Sequence, residues 1–486
     1  MSSLLKSLHK GKADASTPPT RMRNDSTSGI GLEDPGAVDL EHALFTNAYK
    51  AITQGQPQLL SMFIKKHPHI VTITGPVKSE PVAMVDRDTG KQVVQPGAVH
   101  QMTLVDCAVK QGSLDMSMAV LEAMSGGRDF LTCISKKYDE KMSAVHLAVR
   151  QDMVSVVEKI VAIAKEGGLG DGEISEIFVS FMDGGGDDLA FVCCASGSIH
   201  CLKYLVNNLQ FDVNRVSPSG ATCLHVAAAR STVPVTELLL EAGGKVDALD
   251  NDKLTPFFLA ARYNNIPVMS ALEKAGAAID SPALNGAEPI YAAAQQGHVQ
   301  AIELLLELNA SPDSIGCGMA PLHVASMMGH PSAVKVLLEK GANVNLQGGD
   351  AKNTPAHCAA QTGNVGCLQA LIEGGADIKM CGSTGATPLH LASFFGKKAA
   401  AEALLASGAL PDAKDENGKT PFDFSEEGYR VGGSGPDGKK IGKLLKKACG
   451  EEPGKKKKKK DKKEKKEKED KEKPEPAKKS NLSRME

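Results

Sequence analysis

Five histidines recur along this sequence in the same local context and are its most regular candidates for metal chemistry. They are His146, His225, His323, His357 and His390, each three residues after a Ser, Thr or Ala. Imidazole nitrogens are common zinc ligands, but the ligands of one zinc ion lie within ~2.1 Å of it. If each histidine belongs to its own helix, packed neighbours keep such positions ~8–10 Å apart. We therefore expect these side chains to make structural hydrogen bonds and to bind no metal.

The densest group of thiols and imidazoles is Cys193, Cys194, His200 and Cys201. The sequence contains no C-x-x-C pair, a spacing that zinc sites often use. Cys193 and Cys201 also fall on different predicted helices, so a metal site is the less favoured interpretation of this group. Many of the eleven cysteines, Cys107 among them, take positions suited to small or apolar residues. We expect them to be reduced and buried.

Other motif resemblances fail on spacing. Gly168, Gly170 and Gly172 are one residue too close together for a dinucleotide-binding loop and lack its strand–helix context. The stretch around Asp415 is similar to a calcium loop, but its twelfth position holds Phe424 where a Glu is required. A nucleophile elbow, a G-x-x-x-x-G-K phosphate loop and an H-E-x-x-H zinc motif are all missing from the sequence. We therefore expect no catalytic activity and no cofactor.

The histidines belong to a pattern that restarts every 32 to 34 residues between Thr222 and Thr420. Residues 387–392 read TPLHLA, residues 354–359 read TPAHCA and residues 321–325 read PLHVA, with looser copies from positions 222, 255, 288 and 420. A Thr hydroxyl can cap a helix N-terminus, and Pro fits the first helical position because its missing N–H is not needed there. Each restart therefore predicts the beginning of a helix.

A second helix and a hairpin complete each predicted unit. Val299, Ile302, Leu305 and Leu306 lie on one face of a helix with a period of 3.6 residues. The residues that end these second helices are types that tolerate a left-handed backbone, namely Gly243, Gly276, Asn309, Gly341, Gly375 and Gly408. Asn or Asp then opens a short exposed hairpin that leads to the next Thr-Pro.

This unit resembles the ankyrin repeat, whose T-P-L-H-x-A motif recurs at about 33 residues. The resemblance extends over Glu41–Cys449 and is strongest over Asp188–Phe424, with degraded copies starting near Thr46, Thr103 and Ser143. It implies an all-α fold, an ankyrin-repeat solenoid of about 10–11 helix–turn–helix units with hairpin loops.

The composition shifts along the chain and predicts four segments. Residues 1–40 are polar and expected to be disordered, and residues 41–187 are expected to form atypical repeats with insertions. One insertion, from Thr74 to His100, alternates in the manner of strands and predicts a β-hairpin finger. Residues 188–453 should form the regular repeats and a capping helix, followed by a disordered Lys/Glu-rich tail over residues 454–486.

The tail contains a run of six lysines, Lys455, Lys456, Lys457, Lys458, Lys459 and Lys460. Residues 451–486 carry 15 Lys, one Arg and 10 acids, a net charge of +6, while the rest of the chain has a net charge of −8. The run can be interpreted as a solvating segment, a nuclear-targeting signal, or an electrostatic tether to tubulin or another acidic polymer. Interspersed acids and the absence of tail aromatics disfavour nucleic acid.

Composition also bears on location. With 42% apolar residues, 4% aromatics and no Trp, any core must consist of Leu, Val, Ile and Ala. The sequence contains no run of ~18 apolar residues, the length that a membrane helix requires, and no hydrophobic secretory leader. We expect a cytoplasmic protein without membrane contact, with a cytoskeletal or ciliary location as an alternative and a nuclear location less favoured.

The ankyrin resemblance also implies where partners bind. In that family the last two residues of each first helix, and the hairpins, usually contact partners. The expected protein-binding residues are Arg262, Tyr263, Gln295, Gln296, Met327, Met328, Gln361, Thr362, Phe394 and Phe395. The same positions in earlier units are Arg150, Gln151, Ala229 and Arg230. Several of these side chains are apolar on a face expected to be exposed, as binding surfaces are.

A repeat fold identifies a mode of binding and leaves the ligand open. We expect a non-catalytic scaffold or adaptor that binds protein partners of unknown identity through a concave groove and hairpins, with the tail as a tether. One alternative is a microtubule-associated or ciliary structural protein, which predicts salt-sensitive co-sedimentation with microtubules. Another is a regulatory, inhibitory subunit of an enzyme, which predicts stoichiometric co-purification with that enzyme.

Overall fold

A computed structural model describes residues 40–67, 74–78, 82–85, 92–95, 99–124, 142–182, 186–230, 232–430 and 437–450. The lysine run Lys455–Lys460 and the N-terminal segment before residue 40 lie outside the described residues. The electrostatic tether and the two disordered segments therefore stay predictions.

The described residues are mostly helical, and the helices come in pairs. The helices up to residue 209 are α1 Leu40–Thr53, α2 Pro57–Lys66, α3 Leu104–Lys110, α4 Leu114–Glu122, α5 Ala144–Arg150, α6 Val154–Glu166, α7 Asp171–Ser180, α8 Leu189–Ser196 and α9 Ile199–Leu209. The next are α10 Cys223–Arg230, α11 Val233–Glu241, α12 Pro256–Arg262, α13 Ile266–Lys274, α14 Pro289–Gln296 and α15 Val299–Glu307. The last are α16 Pro321–Met328, α17 Pro331–Glu339, α18 Pro355–Thr362, α19 Val365–Glu373, α20 Pro388–Phe394, α21 Lys398–Ala406, α22 Pro421–Arg430 and α23 Asp437–Ala448.

The described chain divides into two compact units, with the division passing through α14 and α15. Unit 1 ends at Ala293 and also includes Glu303–Ala310, and unit 2 consists of Ala294–Ile302 and the chain from Ser311 onward. In unit 1 the first helices of successive pairs pack in the order α1, α3, α5, α8, α10, α12, and the second helices in the order α2, α4, α6, α9, α11, α13. In unit 2 the two layers are α16, α18, α20, α22 and α17, α19, α21, α23. The fold is the all-α repeat solenoid that the sequence predicted.

The left-handed residues predicted at the ends of the second helices are confirmed. The φ angles at Gly243, Gly276, Gly341, Gly375 and Gly408 lie between 84° and 90°, and Asn309 has a φ of 67°. Glycine adopts this backbone without steric cost, and Asn is among the residues that tolerate it best. These positions therefore end each second helix and turn the chain into its hairpin.

The first helix begins earlier than the repeat pattern predicted. The expected start at Thr46 is wrong, because α1 is already helical from Leu40. No Pro or Gly separates Leu40 from Thr46 to stop the helix. Phe45, Ala48 and Ile52 share one apolar face and are almost fully buried, so the added turn continues an amphipathic helix.

Four strands lie in the insertion for which the sequence predicted a hairpin. β1 (Thr74–Lys78) pairs antiparallel with β4 (Val99–Thr103), placing Thr74 opposite Thr103. β2 (Val82–Val85) pairs antiparallel with β3 (Gln92–Gln95), placing Val82 opposite Gln95. The end of β4 leads directly into α3, so this pairing is anchored to the second helix pair.

The capping helix α23 covers the end of unit 2. It packs against α20, α21 and α22 and buries Ile441 and Leu445 completely. Its lysines lie on the other faces, and the Lys446 Nζ sits 4.1 Å from the centroid of the Phe422 ring. Burial of two such aliphatic side chains contributes roughly 1.5–3 kcal/mol each.

Gly428 determines how closely α22 approaches α20. A Cβ at this position would overlap the carbonyl oxygen of Phe394. Gly428→Ala is therefore expected to destabilise the protein by about 1–3 kcal/mol, although the same change in an open helix usually stabilises it by up to ~1 kcal/mol. Thermal unfolding followed by circular dichroism measures the effect. Gly172→Ala in α7 is the matched control, because a Cβ there meets open space. Equal melting temperatures for the two variants would contradict this packing.

Candidate protein-binding surface

The repeated histidines form hydrogen bonds that run from one helix pair to the next. In unit 1 the Nδ1 of His225 accepts from the backbone N–H of Thr222 at 3.0 Å and lies 2.9 Å from the Thr222 hydroxyl. Because Nδ1 is the acceptor, the proton of the neutral ring is on Nε2, which donates to the Leu254 carbonyl oxygen 2.9 Å away. Leu254 belongs to the following hairpin, so His225 links two successive repeats.

The same forward bond recurs in unit 2. Nε2 lies 3.0 Å from the Asn353 oxygen for His323, 3.0 Å from the Ala386 oxygen for His357 and 3.2 Å from the Lys419 oxygen for His390. These distances confirm the predicted structural role of the histidines. Burial lowers the pKa of His225, His323 and His390, and lowers the pKa of His357 to about 4. All four rings are neutral at physiological pH with both nitrogens occupied.

A second set of bonds runs backward to the ends of the first helices. The Asn364 Nδ2 donates to the carbonyl oxygens of Ser326 at 3.0 Å and Met327 at 2.9 Å. The His330 Nε2 lies 3.1 Å from the Gln295 oxygen. The Asn265 Nδ2 donates to the Ala228 oxygen at 2.9 Å in the same way. Since these carbonyl oxygens accept hydrogen bonds, the ends of the first helices are held in place.

Sequence reasoning missed these backward bonds, although a signal for them exists. The donor stands immediately after the Gly position that follows each first helix, as in Gly329-His330 and Gly363-Asn364. A recurring polar side chain beside a turn glycine is a candidate for bonding nearby backbone groups.

Most cysteines in the described residues are buried. Cys107, Cys193 and Cys358 are no more than 2% exposed, which confirms the expectation that they fill apolar positions. Burial raises the pKa of Cys107 and of Cys358 to about 12, so both stay as thiols at neutral pH. Among the described residues, no three His, Cys, Asp or Glu side chains are grouped closely enough to hold a metal ion.

In unit 2 the predicted partner-binding residues form a mainly apolar row at the ends of α16, α18 and α20. Met328 is 50% exposed, while Met327, Gln361, Thr362, Phe394 and Phe395 are half-buried. Gln296 at the end of α14 is exposed and Gln295 is half-buried. No side chain in this row carries a charge.

Contacts within the row decide which side chains remain available. The Phe394 ring packs edge-on against Phe395, with centroids 5.1 Å apart, and against Phe424 of α22 at 6.2 Å. The Thr362 hydroxyl donates to the Cys358 oxygen at 3.1 Å and accepts from Asn364. Phe394 and Thr362 therefore help to build the surface, whereas Met327, Met328, Gln361 and Phe395 present the area that a partner could cover.

In unit 1 the corresponding predicted residues are Arg262 and Tyr263, at the end of α12. Both side chains are half-buried. Arg230, at the end of α10, is also half-buried, and Arg150, at the end of α5, is exposed. The ends of α5, α10 and α12 are therefore basic, in contrast to the uncharged row of unit 2.

Comparison with protein families identifies the repeat. The family model described as ankyrin repeats (3 copies) matches residues 189–283, 268–348 and 346–415. The chain is an ankyrin-repeat protein. A curated relative, the palmitoyltransferase akr1 of Schizosaccharomyces pombe, is 36% identical over 62 residues, which are 13% of this chain and only 10% of that enzyme.

Two solved structures are also similar to this ankyrin chain. The human ASB11 ankyrin repeat domain is 31% identical with a TM-score of 0.42, and the match covers 46% of this chain and 98% of that domain. The ankyrin repeat domain of Bcl-3, a member of the IkappaB protein family, is 25% identical with a TM-score of 0.38, covering 42% of this chain and 94% of that domain.

Two ankyrin repeats replace the motif histidine with an aspartate. The Asp106 Oδ2 lies 2.8 Å from both the backbone N and the hydroxyl of Thr103. Asp423 makes the same contacts with Thr420, also at 2.8 Å. A carboxylate can accept these bonds as Nδ1 does, but an ionised carboxylate has no proton to donate. These repeats therefore keep the helix cap and lack the forward bond.

Proposed function

We propose that this chain is a non-catalytic ankyrin-repeat scaffold or adaptor that captures a segment of a protein partner on the first-helix ends of unit 2. The observation that carries the proposal is the half-exposed Met328, next to Met327 and in the same row as Phe395. Apolar side chains gathered on a surface favour a partner that removes them from water. Aromatic residues and Met are enriched at such interfaces.

The architecture supports binding at low entropic cost. In unit 2 the forward bonds of His323, His357 and His390 link α16, α18 and α20 to the hairpins that follow them. The backward bonds from His330 and Asn364 fix helix ends next to the row. A surface that is already ordered loses little conformational freedom on association. Unbranched methionine side chains can still adapt to the contour of a partner.

The chemistry of the side chains favours binding without catalysis. The rings of four motif histidines are neutral and held between two hydrogen-bond partners, which leaves none of their nitrogens free to move a proton; these are His225, His323, His357 and His390. The buried thiols have a raised pKa and are poor nucleophiles. None of the described helices combines the length and apolar character that a bilayer crossing needs. We propose a cytoplasmic location for this adaptor.

The partner can be identified by photocrosslinking from the surface itself. A photoreactive amino acid replaces Met328 in the full chain, and the crosslinked protein is identified by mass spectrometry. The affinity of the purified partner is then measured by calorimetry. Met327→Ser, Met328→Ser and Phe395→Ser together are expected to weaken binding by at least about tenfold, or ~1.4 kcal/mol, because they remove the apolar contact area.

A matched variant separates this surface from the hairpins. Ile315→Ser and Leu410→Ser remove apolar side chains of the same unit that are 60% and 51% exposed in the hairpins. This variant is expected to bind as the wild type does, and both variants should keep the wild-type helical signal. Loss of binding in the hairpin variant alone would contradict the proposal and assign recognition to the hairpins.

A further inference from the structure

Three first helices of unit 1 end in an arginine, whereas α16, α18 and α20 of unit 2 end in uncharged residues. Arg150 ends α5, Arg230 ends α10 and Arg262 ends α12. The equivalent residues in α8 are Ala195 and Ser196, and those in α16, α18 and α20 are uncharged. Two other first helices also end in a basic residue, Lys110 in α3 and Arg430 in α22, and the Arg430 Nη2 lies 4.0 Å from a carboxylate oxygen of Glu426.

Within the described residues, no carboxylate forms an ion pair with Arg150, Arg230 or Arg262. The carboxylate that follows α5 belongs to Asp152, and it is already engaged: one oxygen lies 2.6 Å from the His200 Nδ1 and the other accepts from the Cys201 N–H at 2.9 Å. The Arg150 Nη1 lies 4.0 Å from the Met142 sulfur. In the described part of the chain, the buried Nε of Arg230 has no hydrogen-bond partner.

Arg150 and Arg230 approach each other across a helix with small side chains. α8 packs against both α5 and α10, and it ends in the small side chains of Ala195 and Ser196. Burial lowers the pKa of Arg230, and the nearby charge of Arg150 lowers it further, while Tyr263 on its other side opposes the shift. Like charges held together in a partly desolvated place destabilise each other unless an anion is present.

We propose that Arg150, Arg230 and Arg262, with Tyr263 beside Arg230, bind an acidic segment of a protein partner. Guanidinium groups bind carboxylates through paired, charge-assisted hydrogen bonds, and an aromatic ring adds contact area without competing charge. This site is on unit 1 and takes a different ligand from the apolar row of unit 2, so it goes beyond the proposed function and does not depend on it.

The surroundings favour an acidic peptide over nucleic acid. A phosphate backbone is bound by an extended basic face, whereas the positions between these arginines are small and neutral. The whole chain has a formal net charge of −2, which would repel a long polyanion. A short acidic segment matches the three arginines at these helix ends.

Fluorescence anisotropy with the full chain tests the site. The probes are a short labelled polyglutamate peptide, its polylysine counterpart and a single-stranded oligonucleotide of similar length. Arg150→Gln with Arg230→Gln is expected to weaken polyglutamate binding by at least about tenfold, and added salt should weaken wild-type binding. Lys203→Gln with Lys245→Gln removes two exposed charges elsewhere in unit 1 and should change little. The lysine tail is present in every variant, so it contributes equally.

The melting temperature separates loss of a binding site from loss of folding. Since Arg230 pairs with no described carboxylate, Arg150→Gln with Arg230→Gln should leave the melting temperature unchanged or raised. Wild-type polyglutamate affinity in that variant would overturn the proposal. So would tighter binding of the oligonucleotide than of polyglutamate by the wild-type chain, because the surface would then be a nucleic-acid site.

Discussion

Acidification from about pH 7 to about pH 4 is expected to lower the melting temperature of this protein. His225, His323, His357 and His390 are buried and neutral, and each has a folded pKa below its ordinary value. Between the folded and the unfolded pKa, the unfolded chain binds more protons than the folded one. Stability from these residues is therefore complete above the unfolded pKa of ~6.5 and is lost as the pH falls towards the folded pKa.

His357 shows how large this loss of stability can be. Its folded pKa of about 4 against an unfolded value of ~6.5 corresponds to roughly 3 kcal/mol for this side chain. Two buried carboxyls act in the opposite sense, because burial raises the pKa of Asp188 and raises that of Asp106 to about 6. Because acidification removes stability at four histidines and adds stability at two aspartates, we expect a net decrease in the free energy of unfolding.

His357→Gln isolates the contribution of one ring. Glutamine can still accept and donate hydrogen bonds but does not titrate, so the variant should melt lower at neutral pH and lose less stability on acidification. Melting curves recorded by circular dichroism at several pH values give the change of melting temperature with pH for the wild type and for the variant. A variant slope as steep as that of the wild type would show that His357 does not take up the proton.

Asp188→Ala is expected to destabilise unit 1 by about 1–3 kcal/mol, the usual cost of leaving buried hydrogen-bonding groups without their partner. The side chain is only 3% exposed, and one oxygen accepts from the backbone N–H groups of Ala190 and Phe191. The other oxygen lies 3.5 Å from the Nη1 of Arg215. Alanine would leave both N–H groups and the guanidinium without this acceptor.

Asp188→Thr separates the helix cap from the ion pair. Thr is the residue that begins most of the regular repeats and can cap α8 through its hydroxyl, but it brings no charge to Arg215. Urea denaturation should rank the wild type as most stable, then Asp188→Thr, then Asp188→Ala. If alanine were tolerated as well as threonine, the carboxylate would not act as a cap.

The repeat unit and its helix starts could be predicted because they depend on local chemistry. Thr387, Pro388 and His390 specify a helix start within four consecutive residues, and Gly408 specifies an end without reference to the rest of the chain. Each such motif determines the backbone conformation of its own residues, and its repetition then determines that the helix pairs stack. The resemblance to ankyrin repeats then indicated the first-helix ends as a candidate binding surface.

Features that depend on distant neighbours could not be predicted. The partial cover over Phe394 comes from Phe424, a residue of the next repeat whose ring direction no local pattern specifies. The proximity of Arg150 and Arg230 depends on the packing of α8 against both α5 and α10. The helical turn before Thr46 is stabilised by burial of Phe45 and Ile52, which overrides the weak start signal of the pattern.

The two kinds of repeat have a consequence for how the array can change in length. The histidine of every histidine repeat in unit 2 donates a hydrogen bond to the hairpin that follows it. A duplicated copy of residues 354–386 would therefore have a hydrogen-bond donor in the repeat before it and an acceptor in the hairpin after it. A copy added after Thr420 would meet Asp423, whose carboxylate bonds only to its own Thr420 in the described structure. The gene could thus gain or lose interior copies while its terminal copy stays in place.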